Sequence, residues 1–165
     1  MSGGAESLSP VQVLGIGSPF APDDIAWRLV EALSRAAPLQ RYGELLRLQA
    51  LDRPGAGLLR YFENAPCVLL LDAVVDEHVP IGELKRYLIA DIEQARLRSS
   101  SHGFGVAQAL SLARALGQLP GELHFWGVAI GNAAQAQTFD WDSRIPELVT
   151  PLAREIASIC DAFVG

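Results

Sequence analysis

The chain has 165 residues, half of them hydrophobic, and a formal charge of −6. That size and apolar content suffice for one buried core and exclude a disordered chain. The acidic balance, with Lys85 the only lysine, excludes the basic surface that nonspecific nucleic-acid or anionic-membrane binding needs, and no apolar run nears the roughly 20 residues of a membrane span.

Residues 1–9 read as a flexible polar tail and 10–165 as a single domain. Met1 to Ser7 has neither the basic region nor the apolar core of a signal peptide, so a cytoplasmic location is expected. Residues 11–17 form the first predicted strand, ending in the pair Gly15 and Gly17. Pro22-Asp23-Asp24 supplies helix-start chemistry, and Ile25, Leu29, Val30 and Leu33 repeat at helical spacing to about Ala37. A second strand is predicted over 45–51, a turn at Asp52-Arg53-Pro54-Gly55-Ala56-Gly57, and a short helix to about Phe62. The third strand, 67–72, is a continuous apolar run of the kind expected when both faces are covered. A turn at Pro80-Ile81-Gly82 precedes a strand over 83–89. His102 to Leu116 reads as a helix with Phe104, Val106, Leu110, Ala113 and Leu116 inside, stopped by Gly117. Leu123 to Ile130 is a strand, and Ile145 to Phe163 is the closing helix, its start set by Pro146-Glu147. Strands alternating with helices at these lengths predict a three-layer α/β/α sandwich around a mostly parallel, twisted sheet of about five strands.

Three residues stand where a strand hands over to a helix or loop: Asp24, Asp72 and His102. In an open parallel sheet that is where ligands bind. Two carboxylates and an imidazole are donors suited to a borderline divalent metal such as zinc or nickel. Each residue also has a plainer explanation. Acids at a helix start satisfy free amides and the helix dipole, and a carboxylate after an apolar strand can cap a turn. Two adjacent acids are harder to explain that way, because like charges repel unless something positive is bound. Gly15-Ile16-Gly17 lacks the third glycine of a dinucleotide fingerprint, Phe20 standing in its place. Ser99-Ser100-Ser101 lacks a nucleophile elbow and reads as a helix cap. Cys67 and Cys160, without CxxC spacing, read as buried, reduced thiols. His78 is expected in a surface loop and His124 in a strand. Asp76, Glu77 and Asp142 are expected to be solvated, Trp126 to be core, and Trp27 and Trp141 to be partly exposed.

With these residues in view the chain resembles the hydrogenase maturation proteases, the endopeptidases that trim the C-terminus of the large subunit of nickel–iron hydrogenases. The likeness runs from about Val11 to Val164. It rests on Leu14-Gly15-Ile16-Gly17 with Asp23-Asp24, on Leu70-Leu71-Asp72-Ala73, on Ser101-His102-Gly103-Phe104-Gly105, on Gly127-Val128, and on Gly117 to Leu123. The family usually has Asn where Ser18 stands, Asp-Gly-Gly-Thr where Asp52-Arg53-Pro54-Gly55 stands, and Gln-Pro or Glu-Pro where Ala129-Ile130 stands.

The resemblance implies a five-stranded sheet flanked by helices and a nickel-contacting trio falling on Asp24, Asp72 and His102, with Asp24 or Asp72 as a possible general base. It implies that the nickel belongs to the substrate, a hydrogenase large-subunit precursor. The expected activity is a metal-dependent endopeptidase that removes the precursor's C-terminal extension. The alternative is a non-catalytic assembly protein on the same scaffold that still senses the metal site. A phosphoacceptor receiver domain, which also places acids after its first and third strands, is excluded because no lysine follows the last strand.

Overall fold

The computed structural model describes residues 9–93, 98–99 and 105–164. Strand β1 (Val11–Gly17) is buried throughout, as a strand covered on both faces must be. Helix α1 (Ile25–Ser34) follows, with Ile25, Ala26, Leu29, Val30 and Leu33 on one buried stripe. A 3-10 stretch, Ala37–Leu45, leads into β2 (Leu46–Asp52). After a further 3-10 turn at Gly55–Leu58 come α2 (Leu59–Phe62), β3 (Cys67–Val75), β4 (Leu84–Tyr87), α3 (Ile89–Glu93) and the two-residue β5 (Arg98–Ser99). The chain closes with α4 (Val106–Ala115), β6 (Glu122–Ala129), α5 (Ala133–Thr138) and α6 (Trp141–Val164).

The main sheet has the order β2-β1-β3-β6-β4. Pairings β1–β2, β1–β3 and β3–β6 are parallel, and β4 runs antiparallel at the edge beside β6. Short β5 pairs antiparallel with Val74 and Val75 at the end of β3. Alternation along each strand divides the core in two. Val11, Val13, Cys67, Leu69 and Leu71 face α1 and α6, whereas Leu14, Ile16, Val68, Leu70 and Val74 face α2, α3 and α4. The expected three-layer α/β sandwich with a mostly parallel sheet is therefore present.

From β1 the chain crosses to β2 on one side, and from β2 it passes back over β1 to β3. The order reverses between β1 and β3, which makes the carboxyl ends of these two strands the topological switch point, where open α/β sheets bind ligands. The β1–β3 ladder stops at Gly15↔Leu71 although both strands run on. Asp72 is the first residue of β3 past that last pair.

Several boundaries differ from the sequence reading. Strand β3 continues to Val75, so Asp72 lies inside it rather than at its end. Helix α6 begins at Trp141, four residues before the expected Ile145, because Asp140 caps it: Ser143 N donates to Asp140 Oδ1 at 3.2 Å and Ser143 Oγ to Oδ2 at 2.6 Å. Trp141, expected partly exposed, is only 8% exposed; its ring packs on Phe139 and its indole N–H donates to the Ala136 carbonyl at 2.9 Å. Trp126, expected in the core, is only partly buried against the α1/α6 layer. Leu116 is exposed rather than internal. Helix α4 starts at Val106, and His102 and Phe104 lie outside the described residues.

Candidate active site at the carboxyl edge

The turn after β1 folds back over the strand end. Ser18 N donates to the Asp23 carbonyl at 3.2 Å, Asp23 N to the Phe20 carbonyl at 2.8 Å, and Arg28 N to the Asp24 carbonyl at 2.9 Å as α1 begins. A Cβ at Gly17 would sit 2.0 Å from the Asp23 carbonyl oxygen. Only a residue without a side chain lets the chain return this closely. Asp24 occupies the N-cap position of α1, yet its side chain makes no capping hydrogen bond. Of the two plain explanations for an acid at a helix start, the amide cap is therefore not the one Asp24 satisfies.

Asp72 is 1% exposed. It shares the strand face of Leu70 and Val74 and so is directed to the α4 layer, pairing in register with Gly127 of β6. A side chain at Gly127 would press on Tyr87 Cε2 at 2.7 Å and Val74 Cγ2 at 2.8 Å. Gly127 therefore leaves room for the Tyr87 ring beside this strip. Because α4 follows β5, which pairs with the carboxyl end of β3, and precedes the amino end of β6, it descends from the carboxyl edge. Its cap, Gly105, whose amide donates to Gln108 Oε1 at 2.9 Å, marks that upper end. Asp24 and Asp72 thus belong to neighbouring strand ends that flank the switch point, while the third expected ligand, His102, lies outside the described residues.

The end of β2 adds a cation to this edge. Arg53, at φ +39°, donates its amide to the Gly17 carbonyl at 2.8 Å, and its Nε contacts Asp52 Oδ1 at 2.8 Å. Hydrogen bonding to Asp52, then the charges of Asp52 and Asp23, hold its guanidinium above its ordinary value. Pro54 follows and opens a 3-10 turn.

Asp76, expected to be solvated, is instead anchored: its side chain is 8% exposed. His78 N donates to Oδ1 at 3.0 Å, Tyr87 Oη donates to Oδ2 at 2.8 Å, and Lys85 Nζ lies 3.9 Å away. Burial pushes the Asp76 carboxyl up, but the hydrogen bonds from His78 and Tyr87 and the Lys85 charge outweigh it and hold the group below the usual carboxylate range. Burial and the Asp76 carboxylate raise the Tyr87 phenol. Asp76 and Glu77, with Val75, Ile81, Asn132 and Gln135, line a cavity of about 370 Å³ at the same carboxyl edge.

Tyr87→Phe is expected to cost about 1.5 kcal/mol, the range for a hydrogen bond to a charged group. Because the folded carboxyl of Asp76 titrates below its unfolded value, its contribution is complete above about pH 4 and is lost as the pH falls through the folded pKa. Urea unfolding of the parent and Tyr87→Phe should differ most near neutral pH and converge in acid.

Cys67 and Cys160 are buried free thiols, as expected. Burial pushes Cys67 up to about 12 and Cys160 up to about 11, so neither offers a thiolate nucleophile at neutral pH. His78 is exposed in a turn and His124 lies on β6, as expected.

No protein-family model and no curated protein matches the chain. Solved structures do. The hydrogenase maturating endopeptidase HybD from E. coli superposes with a TM-score of 0.60 at 21% identity, over 88% of this chain and 93% of that one. A hydrogenase 2 maturation peptidase from a Thaumarchaeota archaeon gives 0.57 at 23% identity, over 88% and 97%. The [NiFe] hydrogenase maturation protease HycI from Thermococcus kodakarensis gives 0.58 at 16% identity, over 94% and 95%. The α/β fold of this chain is the fold of those maturation endopeptidases, matched over nearly its whole length. Among the described residues no helix is long and apolar enough to cross a membrane.

Proposed function

We propose that the chain is a cytoplasmic endopeptidase that removes the C-terminal extension of a nickel-loaded nickel–iron hydrogenase large-subunit precursor. The observation that carries this reading is the seating of Asp24 and Asp72 on the two strand ends that flank the switch point, in a fold shared with maturation endopeptidases over most of both chains. The donor chemistry fits a divalent cation: two carboxylates here, with His102 as the nitrogen donor of the trio. The substrate's own nickel, once docked on them, would position the precursor and polarise groups near the scissile bond.

The chain's part in such a reaction is small and specific. Asp72, held in the sheet, fixes one ligand position, and Asp24, on the turn over Gly17, supplies a second from the neighbouring strand. One of these carboxylates would accept the proton of the attacking water, which adds to the scissile carbonyl carbon, and would return it to the departing amine. The cavity beside Asp76 lies on the same edge and gives an extended segment of the precursor a place to lie.

The second reading, an assembly protein that senses the metal without cutting, draws on the end of β2. Arg53 places a fixed positive charge beside Asp23 and Asp52, and positive charge there opposes cation docking on the adjoining acids. Incubating the purified chain with nickel-loaded precursor and weighing the product separates the two. Loss of the extension, seen with loaded but not nickel-free precursor, is expected. An intact C-terminus with retained binding selects the assembly protein, and absence of both refutes both.

A further inference from the structure

At the opposite, amino end of the sheet three side chains of different chemistry meet. Cys67 and Glu122 open β3 and β6 and are paired in register, and His124 lies two residues further along β6 on the same face. Glu122 Oε2 is 3.9 Å from Cys67 Sγ and 3.4 Å from His124 Nε2, and one donor atom from each residue lies within 4.8 Å of the others. These separations are long for strong hydrogen bonds. Donors arranged tetrahedrally about one zinc-sized ion are about 3.5 Å apart, so the widest edge would close by about 1.3 Å at most.

Paired strands fix the three backbone positions in advance, so little chain entropy is lost when the side chains converge. Cys67 is the immobile member, fully buried, while Glu122 is exposed and His124 half-buried, leaving a way in from solvent.

We propose that Cys67, Glu122 and His124 form a zinc-class transition-metal site at the amino edge of the sheet, separate from Asp24 and Asp72. Sulfur and imidazole donors favour a borderline or soft ion over magnesium or calcium. Three protein ligands leave a fourth position for water. Binding releases the thiol proton to solvent and leaves Nε2 of His124 unprotonated, the ring proton moving to Nδ1. Arg86 opposes this: its Nη2 lies 2.8 Å from His124 Nδ1 and donates to it in the metal-free form. Being exposed, Arg86 swings away when Nδ1 takes the proton, and it is a built-in competitor of the ion.

Titration of the full chain with cobalt(II), followed by absorption, tests the site. One equivalent should bind with a thiolate-to-cobalt band in the near ultraviolet and visible bands of four-coordinate intensity, all lost on adding zinc. Cys67→Ser should remove the thiolate band. His124→Gln and Glu122→Gln should each weaken binding about ten-fold or more, Arg86→Ala should tighten it, and the double variant Asp24→Asn with Asp72→Asn should keep the thiolate band. Absence of that band in the parent overturns the site, as does parental affinity in both His124→Gln and Glu122→Gln. If Cys67→Ser does not fold by circular dichroism, those two variants at more accessible positions decide the outcome.

Discussion

Asp72→Asn is expected to leave the chain folded and to lower precursor processing by at least about 100-fold, the least that a removed acid–base or charge-stabilising group costs. The exchange keeps shape and puts an amide, which cannot act as an acid or base, in place of the carboxyl. Asp72 is buried within the strand facing α4, so a larger residue would test packing rather than chemistry. An amide of the same shape fills the space that the carboxyl leaves, which argues against a large loss of stability. The melting temperature should stay within about 4 °C of the parent, the shift that about 1 kcal/mol produces at this size. Asp24→Asn, at a partly exposed cap with no capping bond to lose, should match it in activity with still less effect on melting. Full cleavage by both variants, read by mass, would remove these acids from the mechanism.

Gly17→Ala is expected to cost about 3 kcal/mol, at the upper end of overpacking penalties, and to lower the melting temperature by about 10 °C. The atom in the way is a backbone carbonyl, that of Asp23, at 2.0 Å from the new methyl group. No rotamer change relieves that contact; the whole turn from Ser18 to Asp24 must lift from the strand end. The same turn carries Asp24, so processing should fall with stability, and it should not recover at temperatures where the variant is still fully folded. Gly57→Ala is the control: a Cβ there meets nothing within 4 Å, and its melting and processing should match the parent. A Gly17→Ala chain that melts like the parent would mean that the turn does not close over β1 as described.

The central strands were legible because Val11–Gly17 and Cys67–Val75 are almost wholly buried and mostly apolar, the run Cys67 to Leu71 without a break. The end of β3 was misjudged because a charged residue reads as a boundary, whereas Asp72 is buried within the sheet and Ala73-Val74-Val75 continues the ladder with β6. Pro146 looked like a first helical residue, but the cap lies at Asp140, and α6 accommodates both Pro146 and Pro151 in its interior. Helix α5 went unread because Ala133-Ala134-Gln135-Ala136 has little amphipathic contrast; Asn132 capping Gln135 N at 2.8 Å holds it instead. Of the candidate residues, Asp24 and Asp72 could be singled out from their places after apolar runs. Asp76 could not, since its burial depends on Tyr87 arriving from a different strand.

Strand β3 also works as a ruler. Five residue steps part Cys67 from Asp72, about 16 Å of extended chain at about 3.3 Å per residue, several times the reach of one ion's ligand shell. A cation held at the start of this strand would therefore share no ligand with one held further along. Elemental analysis of the purified protein would then count ions without saying which end of the ruler they occupy, and only a spectrum sensitive to sulfur would tell the two apart.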